Sequence, residues 1–257
     1  MEIDTNLFVI APNNSGSTLL RNLIAANGCL SLPMEGQHAP GFAGPSSRGT
    51  RTRLIWASRE KWIETFSDPA KYDWGRSQAA WYAQATRPDE GRQRTKAVFV
   101  TSSPPFLLAV DQIRKHFRNP RFVFLVRNPY AAIEGIIRRA DQQPLGPDDD
   151  IVEVAARHML RCLREQAGNI DAHRDVSVSL TYEQLCASPA AAARCIDGLV
   201  PEIGGLDFNR SVPVKGMPAS PIIDRNAEQI ARLTRAQIAQ AARVLEADRD
   251  LLTRFGY

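Results

Sequence analysis

Several common protein classes are excluded by what the chain does not contain. No block of about five or six consecutive Lys or Arg occurs, so a basic nucleic-acid-binding arm is ruled out. Cysteine is scarce: Cys29, Cys162, Cys186 and Cys195 form neither CxxC pairs nor Cys/His clusters, and read as reduced packing residues, with no metal site expected. Long apolar runs are missing too. The first, residues 7–11, is too short for a signal-peptide core or a membrane span, and the preceding Met-Glu-Ile-Asp-Thr-Asn has no basic region. A cytoplasmic protein with no membrane insertion is therefore expected. Aromatic residues make up only 7%, and no internal repeat is visible.

The remaining composition is that of an ordinary globular enzyme, with 44% hydrophobic and 23% charged residues in a chain of 257. That length suits one large α/β domain over residues 1–257 with an insertion. The formal charge of +4 is spread along the sequence, which fits a small or locally anionic ligand better than a nucleic acid.

Five short apolar runs, 7–11, 29–32, 97–100, 122–126 and 176–180, show no polar alternation, the pattern of parallel strands covered on both faces. Between and after them, residues 18–26, 106–117, 130–139 and 151–170 repeat apolar residues at helical spacing. This alternation predicts a three-layer α/β fold, an open and mainly parallel sheet flanked by helices, with ligands bound at the carboxyl ends of its strands.

Residues 36–95 interrupt the rhythm and carry every tryptophan, Trp56, Trp62, Trp74 and Trp81. They are expected to form a helical cap insertion whose aromatics pack on the sheet or, alternatively, line a substrate pocket. The acids Asp148 to Asp150 precede a helix and read as capping. Residues 226–255 form a helical tail in which Thr234 is expected to cap a final helix of about twenty residues.

The most informative segment runs from residue 7 to residue 20: a buried strand, a small polar turn and a helix. Backbone N–H groups from Ser15 to Leu19 would converge with the positive end of the helix dipole, and Ser17 and Thr18 add hydroxyl donors, so the turn suits an anion. No Lys follows Gly16, which removes the main support for a nucleotide kinase or hydrolase. A second strand-to-helix turn occupies residues 121–135, with Arg127 at the strand's end and Pro129 suited to the first helical turn.

Together these turns resemble the sulfotransferases that use 3′-phosphoadenosine 5′-phosphosulfate (PAPS), and more the tyrosylprotein-like and bacterial branch than the cytosolic aryl branch. The matching stretches are Asn14-Ser15-Gly16-Ser17-Thr18 for the family's 5′-phosphosulfate loop and Arg127-Asn128-Pro129 for its 3′-phosphate turn. Glu35 stands 21 positions after Asn14, where such members carry an acid at the edge of the acceptor cleft. Residues 101–105 resemble the family's Ser/Thr-Pro segment, and 180–185 its Tyr-Glu-Asp-Leu motif, whose Tyr lies near the adenine. Lys215 and Gly216 fall in the late loop that closes over the nucleotide.

The resemblance implies a P-loop-like sulfotransferase fold and a transfer needing no metal. A sulfuryl group would pass from PAPS to a hydroxyl or amine of a small or medium-sized acceptor, leaving adenosine 3′,5′-bisphosphate. Asn14, Ser15, Gly16, Ser17, Thr18, Leu19, Arg127, Gly135, Tyr182, Lys215 and Gly216 would hold the nucleotide. Glu35 is the expected general base, His38 the second candidate, and Asn14 a hydrogen-bond donor to the sulfonate. Alternatively Glu35 is a solvated loop carboxylate, and Arg127 caps a helix or pairs with an acid. Two departures stand out: Asn14 replaces the loop's basic residue, and Gly135 replaces a Ser eight positions after Arg127. Lys96 and Lys215 are candidate replacements for the missing cation; if nothing replaces it, the fold would keep nucleotide binding and lose transfer. Glu35→Gln is expected to abolish sulfuryl transfer in a PAPS turnover assay while leaving bisphosphate affinity within about twofold, since a single general base contributes roughly a hundredfold or more to the rate. Unchanged turnover would remove Glu35 from that role.

Overall fold

The computed structural model describes residues 2–32, 39–44, 55–86, 97–140, 145–214 and 216–257. Among these, β1 (Thr5–Ile10), β2 (Leu30–Ser31), β3 (Val98–Ser102), β4 (Pro120–Val126) and β5 (Ser177–Thr181) pair in parallel in the order β2-β3-β1-β4-β5. The five apolar runs of the sequence correspond to these five strands. Two further strands, β6 (Val212–Val214) and β7 (Met217–Ser220), form a separate antiparallel hairpin.

All six residues of β1 are buried, and its apolar run from Leu7 to Ile10 shows no polar alternation. Successive side chains point to opposite faces of the sheet, and each face is covered. Leu7 and Val9 pack with Leu20, Leu23 and Ile24 of α1 (Ser17–Ala26), while Phe8 and Ile10 meet Phe99, Phe106 and Phe122 on the other side.

That second face is completed by the inserted segment, with α2 (Glu60–Ser67) and α3 (Trp74–Gln84), and by α4 (Val110–His116). Trp56, Trp74 and Trp81 lie buried in this aromatic core, so for these three packing applies and pocket lining does not. α5 (Pro129–Ile137) and α6 (Ile151–Ala172) belong to a third apolar cluster with the tail helices. α7 (Tyr182–Ala187) follows β5 directly, and α8 (Pro189–Leu199) returns to the α1 face.

Side-chain caps set several boundaries. Asn128 accepts from Tyr130 N at 3.0 Å, and Pro129 fills the first position of α5. Asp150 accepts from Val152 N and Glu153 N at 2.8 and 3.0 Å at the start of α6, the capping role expected of the acidic cluster. The tail comprises α9 (Asn226–Ile230), α10 (Arg235–Leu245) and α11 (Arg249–Arg254).

Thr234 caps α10 as expected, but the single final helix is divided. A 3-10 turn at Glu246–Asp248 redirects the chain; Asp248 accepts from Arg164 Nε at 2.8 Å, and Leu251 and Leu252 swing into the third cluster. The stretch 106–117 divides as well. Pro104 and Pro105 open a 3-10 turn held by Phe106 N donating to Ser103 O at 3.0 Å, and α4 starts only after Ala109.

Trp81 is fully buried, its ring centroid 6.2 Å from that of Phe99 and 5.9 Å from that of Phe117, and its indole N–H has no hydrogen-bond partner. Trp81→Ala is expected to cost about 3–5 kcal/mol in urea unfolding. Trp81→Phe should cost markedly less, because it keeps an aromatic ring and removes an unsatisfied donor. Equal losses would contradict this account of the core.

Candidate anion-binding site

The sheet order brings together two turns that are far apart in the chain. β1 lies between β3 and β4, with Ile10 in register with Phe124, so the loop after β1 and the turn after β4 leave the same edge side by side. This is where the chain's crossover reverses direction along the sheet, the position at which open α/β folds bind ligands. Gln166, buried on α6, fastens both strand ends by donating from Nε2 to Ile10 O at 2.7 Å and to Leu125 O at 3.3 Å.

Local backbone conformation shapes the first turn. Asn14 and Gly16 both adopt left-handed conformations, with φ of 64° and 91°. A Cβ at Gly16 would also stand 2.8 Å from Tyr182 Cδ2, so glycine is required there twice over. The first intrahelical bond of α1 is Leu20 N donating to Gly16 O at 3.0 Å. The N–H groups of Ser17, Thr18 and Leu19 therefore have no acceptor inside the helix. No side chain caps this end and no acid stands in its first turn. The hydroxyls of Ser15, in the loop after β1, and Ser103, directly after β3, are buried without a hydrogen-bond partner. Unspent buried donors and an uncapped positive helix end suit an anion.

Arg127 joins this loop to the rest of the molecule. Only 6% exposed, it donates from Nη1 to Asn14 O at 2.9 Å, from Nε to Asn226 Oδ1 at 2.7 Å, and from Nη2 to Gln229 Oε1. Its guanidinium carbon lies 4.1 Å from the centroid of the Tyr182 ring. Burial lowers its pKa, and the neighbouring Tyr182, Glu183 and Asp224 act in the opposite direction. Tyr182 is thus sandwiched between Gly16 and Arg127, with its hydroxyl donating to Ile223 O at 2.8 Å and pushed by burial up to about 12.

A second layer of groups holds Arg127 in place. Glu183 accepts from Asn128 N at 3.0 Å, from the side chain of Asn226, and from the hydroxyl of Tyr257 at 2.9 Å. Glu134, buried on α5, accepts from Gln229 Nε2 at 3.1 Å and pairs with Arg138 at 2.9 Å.

Asn14 and Gly135, the two departures from the family pattern, touch one another. Asn14 Nδ2 donates to Ala132 O at 3.2 Å, and a Cβ at position 135 would lie 3.0 Å from that nitrogen. Arg139 reaches the same amide, donating from Nη2 to Asn14 Oδ1. Of the remaining expected site residues, Gly216 occupies the hairpin turn between β6 and β7 with φ of 75°, and β6 is tied to α1 by Asn22 Nδ2 donating to Pro213 O at 2.7 Å. Glu35, His38, Lys96 and Lys215 lie outside the described residues.

The inserted segment also reaches the loop. Trp56 Nε1 donates to Asn13 Oδ1 at 2.9 Å, and the next residue, Ala57, donates its N–H to His158 Nδ1 at 3.0 Å. Burial drives the His158 pKa down to about 3, so the ring is neutral and free to accept that bond. Gln166, Gln229 and Arg139 had no role in the sequence reading; Trp56 entered it only as a packing or pocket-lining aromatic, Glu183 only within the 180–185 motif, and Asn226 only as the start of the helical tail. Each acts through contacts between distant segments, and only Arg139 left a local trace, its four-residue spacing from Gly135 on one helix.

The sequence profile of the Sulfotransferase family matches residues 6–197, a span that contains both turns and the β5–α7 segment. The chain belongs to the sulfotransferase family. Solved structures of sulfotransferases share its architecture at low identity. The sulfotransferase domain of the olefin synthase from Synechococcus PCC 7002 is 18% identical, covering 96% of this chain and 94% of that one, with a TM-score of 0.56. A sulfotransferase from Mycobacterium avium is 10% identical over 97% of this chain and 77% of that one, with a TM-score of 0.54. The sulfotransferase domain from the curacin biosynthetic pathway is 15% identical over 96% and 99%, with a TM-score of 0.51. No curated protein matches the chain.

In this sulfotransferase no helix among the described residues is long and apolar enough to cross a membrane. Among the same residues no three or more His, Cys, Asp or Glu gather as metal ligands would. Gly16→Ala is expected to lower stability by about 1–3 kcal/mol, through its left-handed backbone and the contact with Tyr182, as read by thermal or urea unfolding. A neutral effect would mean that the loop conformation is wrong.

Proposed function

We propose that this sulfotransferase transfers a sulfuryl group from PAPS to a hydroxyl or amine of a small or medium-sized acceptor. The observation that carries the reading is the hydrogen bond from Arg127 Nη1 to Asn14 O at 2.9 Å, which joins the two turns resembling the family's 5′-phosphosulfate and 3′-phosphate motifs. When bound, PAPS supplies an activated sulfuryl group on a 5′-phosphate.

The residues of the first turn fit such a group. Ser17, Thr18 and Leu19 offer backbone N–H groups at the positive end of α1, Ser17 and Thr18 offer hydroxyls, and Ser15 and Ser103 hold unspent ones. The turn at Arg127 takes the 3′-phosphate. A guanidinium has five N–H donors, and three atoms of this one already bind protein acceptors, so Arg127 both organises the loop and carries positive charge beside it. Fixed donors and charge in a site that excludes water stabilise the charge that develops during transfer, and positioning supplies much of the remaining rate.

As its oxygen or nitrogen bonds to sulfur, the acceptor gives up a proton. Glu35 is the group proposed to receive it, with His38 as the alternative. The roles of both rest on the family resemblance. The acceptor is a small molecule on this reading, although the buried Trp56, Trp74 and Trp81 do not furnish apolar walls for its pocket. The free cysteines Cys29, Cys162, Cys186 and Cys195 accord with a reducing compartment such as the cytoplasm.

The reading is tested by calorimetric titration with adenosine 3′,5′-bisphosphate and adenosine 5′-phosphosulfate. The wild-type protein should bind both. Arg127→Lys, which keeps the charge but loses the planar fork, should weaken the bisphosphate about tenfold or more and the phosphosulfate clearly less. Absence of bisphosphate binding at millimolar concentration would contradict the function, and equal losses for both ligands would contradict the role of Arg127.

A further inference from the structure

Arg127 is a buried cation held by neutral acceptors. Its three hydrogen-bond partners are the backbone carbonyl of Asn14 and the side-chain oxygens of Asn226 and Gln229, while Glu183 bonds the Asn226 amide and not the guanidinium. A phosphate would be a stronger acceptor than any of the three, because it adds the attraction of opposite charges in a place shielded from water. With the residue only 6% exposed, however, an anion reaches it only if one of the groups covering it gives way.

Those groups are not held equally. Tyr182 is pressed between Gly16 and the guanidinium, and its hydroxyl is fixed on Ile223 O at 2.8 Å. The loop at Asn14 is tied to α5 by Nδ2 donating to Ala132 O at 3.2 Å. Asn226 is buried on the Nε edge, its Oδ1 accepting at 2.7 Å, its side-chain amide bound to Glu183 and its N–H donating to Asp224 Oδ1 at 2.8 Å. Gln229 is the loosest of the four. It is partly exposed on the five-residue helix α9, and besides Arg127 its side chain bonds only Glu134, with Nε2 donating to Oε2 at 3.1 Å. Glu134 does not depend on that bond, since it also pairs with Arg138 Nε at 2.9 Å and Arg232 Nη1 at 3.5 Å.

We propose that Gln229 is a stand-in for the 3′-phosphate. In the ligand-free protein its amide oxygen satisfies Arg127 Nη2, which would otherwise be a buried donor without a partner; on binding, a phosphate oxygen takes that place and the glutamine amide turns out to water. Nη1 stays on Asn14 O throughout, so the first turn keeps its shape during the exchange. Gln229 is thereby a specificity-determining residue. It weakens every nucleotide that carries a 3′-phosphate by the strength of the bond that must be given up, and it does not affect one that lacks the group.

This proposal rests on the reading of the Arg127 turn as the 3′-phosphate site, and its test separates the two claims. Calorimetric titration with adenosine 3′,5′-bisphosphate is compared with titration with adenosine 5′-phosphosulfate, which has no 3′-phosphate. In Gln229→Ala the bisphosphate should bind about tenfold more tightly, as expected when a hydrogen bond to a charged group no longer has to be surrendered, while the phosphosulfate binds as to the wild type. A merely structural role for Gln229 predicts the opposite, a loss on truncation. If the alanine variant does not fold, Gln229→Met, which keeps the length of the side chain and removes its acceptor, carries the same expectation. Unchanged or weaker bisphosphate binding in the Gln229 variants, or an equal gain for both ligands, would overturn the role of Gln229 and leave the nucleotide site standing. Failure of the wild-type protein to bind the bisphosphate would overturn the site, and the proposal with it.

Discussion

Burial of the Arg127 guanidinium is the constraint around which the site is assembled. A charge taken out of water is costly unless its donors find acceptors, and a buried charge that loses its partners is among the most destabilising changes known. Arg127 finds a carbonyl on the loop after β1, two side-chain oxygens on α9, and the face of Tyr182. Satisfying one side chain therefore fixes three separate stretches of chain. The loop at residue 14 cannot drift from the end of β4, and α9 cannot leave without stripping two acceptors from the cation. Glu183 and Glu134 extend the same logic outward by holding Asn226 and Gln229 in position.

Much of this architecture is legible in the sequence, for a physical reason. A parallel strand buried on both faces favours apolar residues without polar alternation, so β1, β3 and β4 appear as the short apolar runs 7–10, 98–100 and 122–126; the glycine at 16 and the proline at 129 mark the turns that follow two of them. What the sequence obscures is produced by tertiary contact. The helical periodicity of 226–255 gives no sign that Asp248 will be drawn to Arg164 and the helix broken there. The tryptophans of the insertion leave pocket lining open as the alternative to packing until Phe99, Phe106 and Phe117 are seen packed against Trp81. At the site, Asn14 and Gly135 look like two independent losses in the chain. Only the contact between them, and the arrival of Arg139 at the same amide, shows them as parts of one arrangement. The carboxylate expected at residue 35 is read from spacing and family resemblance alone.

The same contrast explains how this chain can share a fold with sulfotransferases at identities of 10 to 18%. The sheet order and the strand-to-helix turns are maintained by apolar burial, which many sequences satisfy. The chemistry depends on a few donors and charges, and these can be relocated provided they reach the same place.

The account's central claim is that the two turns form one site and grip a single nucleotide at both of its anionic ends. A crystal structure of the protein with adenosine 3′,5′-bisphosphate tests it most directly. The account requires the 5′-phosphate within hydrogen-bond distance of the amides of Ser17 to Leu19 and the 3′-phosphate at the turn of Arg127. A nucleotide bound elsewhere, or held with both phosphates at one turn while the other stays unchanged, would contradict it.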